Sequence, residues 1–207
     1  DTHLHADHVS GLRELAAETG ARVLLSAEAA DRRLTFDLDT VSDGAECSVG
    51  GATVDVLGTP GHTSGSISLR VDDLLLTGDA LFLDGAPRPD LEEGEAGARD
   101  HARTLHETLV KRLADVPDDV LVGPGHVVPG RPLESNGSYT APLGALRERV
   151  AAFEESTDAF VERVLQSMGA RPANFEQIIA VNAGRESIDA STAFEIELGP
   201  NNCAVQD

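Results

Sequence analysis

The segment Thr2-His3-Leu4-His5-Ala6-Asp7-His8 places four metal-capable side chains within six positions, and few folds can absorb such a density of ligands. His3, His5 and Asp7 stand at alternate positions, so an extended backbone presents all three on one face. His8 projects from the turn that follows. Imidazole and carboxylate are ligands of zinc, iron and manganese, and no thiolate is near enough in sequence to compete.

Three further candidates stand at predicted strand exits. His62 follows Thr59-Pro60-Gly61, Asp79 ends the apolar run LLLTGD, and His126 ends VLVGPGH. Residues at Gly- and Pro-flanked loop tips after strands are where a rigid scaffold carries chemistry. Taken together, His3, His5, Asp7, His8, His62, Asp79 and His126 are the expected metal ligands. His101 and His106 are read as lying on the polar side of a helix.

The pattern between these points alternates. Val9 to Thr19 has helical spacing and Gly20 stops it, Arg22 to Leu25 and Ala52 to Leu57 read as strands, and Ser66–Val71 with Leu74–Thr77 reads as a hairpin turning at Asp72-Asp73. Residues 84–100 are rich in Gly, Pro and charge without a period, which predicts a loop lying on the surface or over a site. A helix is expected over His101–Leu113 and a strand over Val120–Val122. From Thr140, the apolar positions Leu143, Leu146, Val150, Phe153, Phe160 and Val164 predict one long helix. Ile178–Val181 and Phe194–Leu198 predict terminal strands.

Composition narrows the partners. With 36 acidic against 16 basic residues in 207, the net charge of −20 would repel a polyanion, which excludes nucleic acid. Fifteen of the basic residues are arginines and the carboxylates are dispersed, as in a protein working in high salt, although an ordinary acidic cytosolic protein would share the feature. No apolar run approaches the about 18 residues of a membrane span. Two cysteines, Cys47 and Cys203, predict no disulfide and a reduced, cytoplasmic setting.

The motifs THLHADHVSG, TPGHTSGSISL, LLTGDALF and VGPGH resemble, in order and spacing, the signature of the metallo-β-lactamase superfamily. The resemblance implies an α/β fold, the αββα sandwich with metals at one edge. In that family strands precede the first motif, and this chain begins inside it without a methionine, so a fragment lacking part of the first sheet is expected. Residues 1–132 would then form the core and 133–207 a C-terminal helix and strands packing on it.

Two branches of the family are similar. In glyoxalase II-like hydrolases, His3, His5, His62 and Asp79 would hold one metal, and Asp7, His8, His126 and a bridging Asp79 the other, as zinc or a mixed dinuclear site cleaving a thioester. In persulfide dioxygenases, His3, His62 and Asp79 would hold one Fe(II), with His5, Asp7, His8 and His126 orienting the site. Chemistry would then rest on His3, His62, Asp79 and Asp7, and the substrates would be a low-molecular-weight thiol persulfide and O2. The dioxygenase loop Gly-Cys-Gly-Arg-Thr-Asp is matched by Gly85-Ala86-Pro87-Arg88-Pro89-Asp90 without its cysteine, which implies that Arg88 grips a substrate carboxylate. Residues 171–184 also look like the dioxygenase C-terminus, again without the expected cysteine. The tyrosine that glyoxalase II-like proteins place two residues past the last histidine is here Val128; the chain has one tyrosine, Tyr139, and one lysine, Lys111. The dioxygenase is therefore the expected activity and the hydrolase the alternative. The resemblance also admits a homodimer and an attached rhodanese-like domain.

Overall fold

The computed structural model describes residues 1–30, 32–198 and 203–206. In chain order its elements are α1 (Leu12–Thr19), β1 (Leu24–Ser26), α2 (Ala27–Ala30), β2 (Asp39–Val41), β3 (Glu46–Val49), β4 (Ala52–Gly58), β5 (Ile67–Val71), β6 (Leu74–Gly78), β7 (Gly85–Pro87) and α3 (Gly94–Glu107). A π-helical turn over Thr108–Arg112 extends α3. There follow β8 (Leu121–Pro124), β9 (Ala141–Pro142), α4 (Leu143–Arg149), a 3-10 turn (Ala151–Phe153), α5 (Thr157–Ser167), α6 (Phe175–Asn182), α7 (Ala190–Glu197) and β10 (Ala204–Gln206).

Six strands form one mixed sheet in the order β3-β4-β5-β6-β8-β9. The first four are joined as antiparallel neighbours, with Asp72 in the left-handed region (φ 52°) at the β5–β6 turn. The β6–β8 pair is parallel, through Leu74↔Leu121, Leu75↔Val122 and Gly78↔Pro124. It follows that β4, β6 and β8 run in the same direction and end at the same edge. The parallel pair β1–β2 and the antiparallel pair β7–β10 are separate small sheets. One face of the main sheet packs under α3, α4 and α5: Leu75, Leu105, Val122, Leu143 and Phe160 belong to a single buried cluster. Burying such side chains is the main favourable term in folding, at about 1.5–3 kcal/mol each.

Several expectations are corrected. The segment 84–100 is not a loop throughout: it contains β7 and the start of α3, and Arg88, Asp90 and Leu91 are buried. The long helix from Thr140 is broken where Val150 turns extended (φ −86°, ψ 116°), and Ser156 starts α5 by accepting from the Ala159 amide. A side-chain acceptor at that position satisfies a helix donor that has no partner in the first turn. The two predicted terminal strands are helices α6 and α7. Asn174 in the left-handed region (φ 60°) precedes α6, and the Asp189 carboxylate caps α7 at Thr192. Short apolar runs do not separate strand from helix by themselves. His106 lies inside the molecule rather than on the polar side of α3: its Nε2 donates to the Glu155 carbonyl (3.2 Å) and its Nδ1 accepts from Thr157 (3.1 Å).

Candidate metal centre

The shared edge explains how residues distant in sequence meet. His62 follows β4, Asp79 follows β6 and His126 follows β8, so strand direction alone delivers the three to one rim. The Gly125 amide continues the β6–β8 pairing by donating to the Gly78 carbonyl at 2.8 Å. The first motif is attached at the same rim, because the Ile67 amide at the start of β5 donates to the Thr2 carbonyl at 2.9 Å.

Two glycines let the rim close. Gly61 has φ 139°, and a Cβ there would lie 2.4 Å from the Leu105 backbone of α3. At Gly125 a Cβ would lie 2.4 Å from Asp79 Oδ1. Neither position has room for a side chain, so the ligand that follows each glycine can sit close to its neighbours.

All seven expected ligands are in this one place. Ligand atoms of His3, His62 and Asp79 lie within 4.8 Å of one another, and the three residues are 1%, 1% and 2% exposed. His5, Asp7 and His8 form a second such group. Asp79 Oδ2 is 3.7 Å from His62 Nε2 and 3.2 Å from His126 Nε2, and His126 Nε2 is also 3.3 Å from Asp7 Oδ2. A single carboxylate oxygen thus faces both halves of the cluster.

The surrounding groups set the orientation of each ring. His62 Nδ1 donates to the Arg88 carbonyl at 2.7 Å, which turns Nε2 toward Asp79. The Thr2 hydroxyl lies 3.0 Å from His3 Nδ1, so His3 likewise turns Nε2 inward. His8 Nδ1 donates to Asp7 Oδ1 at 3.2 Å. Asn182 in α6, absent from the expected set, ties the loop down: its Nδ2 donates to the carbonyls of His5 (2.9 Å) and His8 (2.8 Å), and its Oδ1 accepts from the Ser10 amide.

Electrostatics divide the histidines. Burial first, and then the neighbouring His5, His62, His126 and His8, push His3 well below the ordinary value. His5 is pushed down to about 4, by burial and then by His8. His126 goes the other way: burial would lower it, but Asp79 and Asp7 outweigh that effect and raise it. His8 is raised chiefly by its hydrogen bond to Asp7. Among the described residues, His3 Nε2, His5 Nδ1 and Asp79 Oδ2 are buried atoms without a hydrogen-bond partner. Leaving such an atom unsatisfied costs about 1–3 kcal/mol. Inward-facing nitrogen and oxygen donors of this kind fit a divalent cation.

Arg88 is placed differently from its expected role in gripping substrate. It is 2% exposed, and its guanidinium donates to both Asp90 oxygens (2.6 and 3.1 Å) and to the carbonyls of Ala170 (2.8 Å) and Gly169 (3.0 Å). Burial opposes ionisation of Asp90, yet hydrogen bonds from Arg88 and Arg171 hold its carboxyl below the usual range. The pair is an internal strut: the guanidinium is bonded to Asp90, Gly169 and Ala170, while the Arg88 carbonyl holds the His62 ring.

Cys203 was read from sequence only as a reduced thiol. It sits at the centre, with Sγ within 4.8 Å of ligand atoms of Asp7 and His126, and its carbonyl accepts from the Arg88 amide at 2.9 Å. Burial, followed by the charges of Asp7 and Asp79, pushes the thiol up. Its arrival depends on β10 pairing with β7, a contact that no local pattern announces.

Comparison with known proteins places the fold. The family profile described as Metallo-beta-lactamase superfamily matches residues 2–126. A hydroxyacylglutathione hydrolase of Cereibacter sphaeroides is 37% identical over 144 residues, covering 69% of this chain and 51% of that protein. The mitochondrial persulfide dioxygenase ETHE1 of Homo sapiens is 30% identical over 132 residues, covering 61% and 47%. The solved structure of ETHE1 from Myxococcus xanthus superposes with a TM-score of 0.76 at 30% identity, covering 90% of this chain and 76% of that one. The chain spans about half the length of the curated relatives it matches.

Proposed function

The chain belongs to the metallo-beta-lactamase superfamily, and from that premise we propose that it acts as a persulfide dioxygenase, oxidising a low-molecular-weight thiol persulfide. In the overall reaction the persulfide, O2 and one water yield the thiol and sulfite. The observation that carries this reading is the buried trio His3, His62 and Asp79: two imidazoles and one carboxylate, with His3 Nε2 and Asp79 Oδ2 unsatisfied. Such a set suits one Fe(II) and leaves positions open for substrate. When bound, iron supplies one-electron chemistry toward O2, whereas zinc in the alternative reading supplies a water of lowered pKa.

The protein's own groups do the rest. Arg88 and Thr2 hold the His62 and His3 rings with Nε2 inward. Asn182 fixes the loop carrying His5 and His8. His126 Nε2 lies between Asp7 Oδ2 (3.3 Å) and Asp79 Oδ2 (3.2 Å), so the two carboxylates orient its ring toward the trio. The chain's single lysine, Lys111, is exposed and paired with Glu107, outside the centre. With Val128 at the expected tyrosine position, a tyrosine and lysine grip on glutathione is missing, which supports the dioxygenase over the hydrolase and leaves room for a different thiol carrier.

A dinuclear thioester hydrolase is the second reading. It is favoured by Asp79 Oδ2, which faces both His62 and His126, and by the identity to hydroxyacylglutathione hydrolase. Anaerobic purification, metal analysis and parallel assays separate the two readings. Iron with O2 uptake on a persulfide is expected. Two zinc ions with thioester cleavage and no O2 uptake would overturn the proposal.

A further inference from the structure

We propose that Glu92 is a positioning residue for the metal centre: it clamps the loop that carries His62, so that one segment, through Arg88 and Glu92, holds both the ring and the main chain of that ligand. This rests on His62 binding metal, which both readings above share. Glu92 lies between β7 and α3, and its side chain is 6% exposed. Its Oε2 accepts from the Ser64 amide at 2.5 Å and its Oε1 from the Ser64 hydroxyl at 2.9 Å. Earlier in the same segment, the Arg88 carbonyl accepts from His62 Nδ1 at 2.7 Å.

Hydrogen bonds carry this task because packing on that side is incomplete. An enclosed void of about 10 Å³ borders His62, Thr63, Leu91 and Glu92, and atoms facing a void lose the contacts that would hold them in place. A carboxylate accepting from an N–H and an O–H makes charge-assisted bonds, roughly twice as strong as neutral ones. At the next residue the loop is tied elsewhere, since the Ser26 hydroxyl at the end of β1 donates to the Gly65 carbonyl at 2.7 Å. The main chain after His62 is thus anchored at two consecutive residues to two different parts of the fold.

The clamp has its own charge partner. Arg32 Nη1 donates to Glu92 Oε1, and His101 Nε2 stands 3.7 Å from Oε2. A buried carboxylate needs such compensation. Arg32 therefore serves the stability of the pair, whereas the bonds to Ser64 serve the ligand loop, and the two roles can be separated by substitution.

Cobalt(II) is the probe. The full chain, stripped with chelator and kept anaerobic, is titrated while cobalt affinity and the visible d–d spectrum, which reports ligand geometry, are followed beside urea unfolding. Glu92→Ala is expected to weaken binding about 10- to 100-fold and to shift the spectrum. Arg32→Met, which leaves both Ser64 bonds in place, is expected to lower the unfolding midpoint while keeping the wild-type affinity and spectrum. Should Glu92→Ala fail to fold, Glu92→Gln, equal in shape with one acceptor oxygen in place of two, is expected to move affinity and spectrum the same way by less. Wild-type affinity and spectrum in the folded Glu92 variant, or the same changes in Arg32→Met, would overturn the clamp alone. No cobalt bound by the wild type would overturn both the clamp and the metal reading of the centre.

Discussion

The imidazole of His62 and the main chain of Arg88 are joined by a 2.7 Å hydrogen bond from Nδ1 to the carbonyl oxygen. That bond fixes the tautomer and directs Nε2 at Asp79. The same residue buries its guanidinium against Asp90, so the orientation of a candidate metal ligand depends on a buried ion pair outside the histidine cluster.

Removing a member of the trio should abolish turnover. His3→Ala, His62→Ala and Asp79→Asn are each expected to lose bound iron. His5→Ala should retain it and slow turnover by about 10- to 100-fold, the usual effect of a group outside the direct ligand set. Metal analysis together with O2 uptake checks this. Complete loss of metal in His5→Ala would favour the dinuclear hydrolase.

Breaking the strut should cost stability before it costs substrate affinity. Arg88→Ala leaves Asp90 buried without its main partner, and about 3–5 kcal/mol of destabilisation is expected in urea unfolding. A double change, Arg88→Met with Asp90→Leu, should cost less than Arg88→Ala alone. An unchanged midpoint with a raised KM would return Arg88 to substrate binding.

Acid should reveal Asp90. Its folded pKa lies below the ordinary 3.8, so the folded state binds the proton less readily than the unfolded chain. The resulting stability is present above 3.8 and is lost as pH falls through the lower folded value. The stability difference between wild type and Asp90→Asn should therefore narrow below about pH 4. Unfolding curves at a series of pH values test this; a constant difference would refute it.

Steric closure of the rim can be probed at one atom. Gly125→Ala brings a methyl to 2.4 Å from Asp79 Oδ1, so one of the two must shift. Because misplacing a catalytic group by about 1 Å can cost about 100-fold in rate, a loss of that order is expected, with weaker metal binding. Gly11→Ala, where a Cβ meets nothing within 4 Å, is the control and should leave both unchanged.

Salt should stabilise the protein. The charge of −20 is dispersed, and mutual repulsion is screened only at high ionic strength. Differential scanning calorimetry should show Tm rising with KCl toward molar concentration. A flat dependence would remove the inference of a high-salt setting.

The convergence of the candidate ligands was legible because each stands in a local pattern: alternate residues in the first motif, and Gly- or Pro-marked exits after β4, β6 and β8. Strand direction then does the assembling. Cys203 and Asn182 were not legible, since each reaches the centre through a contact distant in sequence, β10 on β7 for one and α6 on the first loop for the other. Arg88 misled for a different reason. Its Gly- and Pro-rich surroundings read as surface, but Asp90 two residues later supplies an internal partner that makes burial tolerable. The break at Val150 was hidden because the apolar spacing continues across it.

The parallel pairing of β6 with β8 also governs the order of assembly. A parallel pair cannot be closed by a tight turn, and here α3 lies in the crossover between the two strands. Asp79 and His126 thus meet only after a long loop has been closed, a step whose entropy must be met before any ligand contact repays it. Metal capture should trail chain collapse during refolding: stopped-flow fluorescence of a zinc indicator should report uptake in a phase slower than the recovery of helical circular dichroism, and uptake keeping pace with helix formation would mean that the first motif binds metal before the sheet is complete.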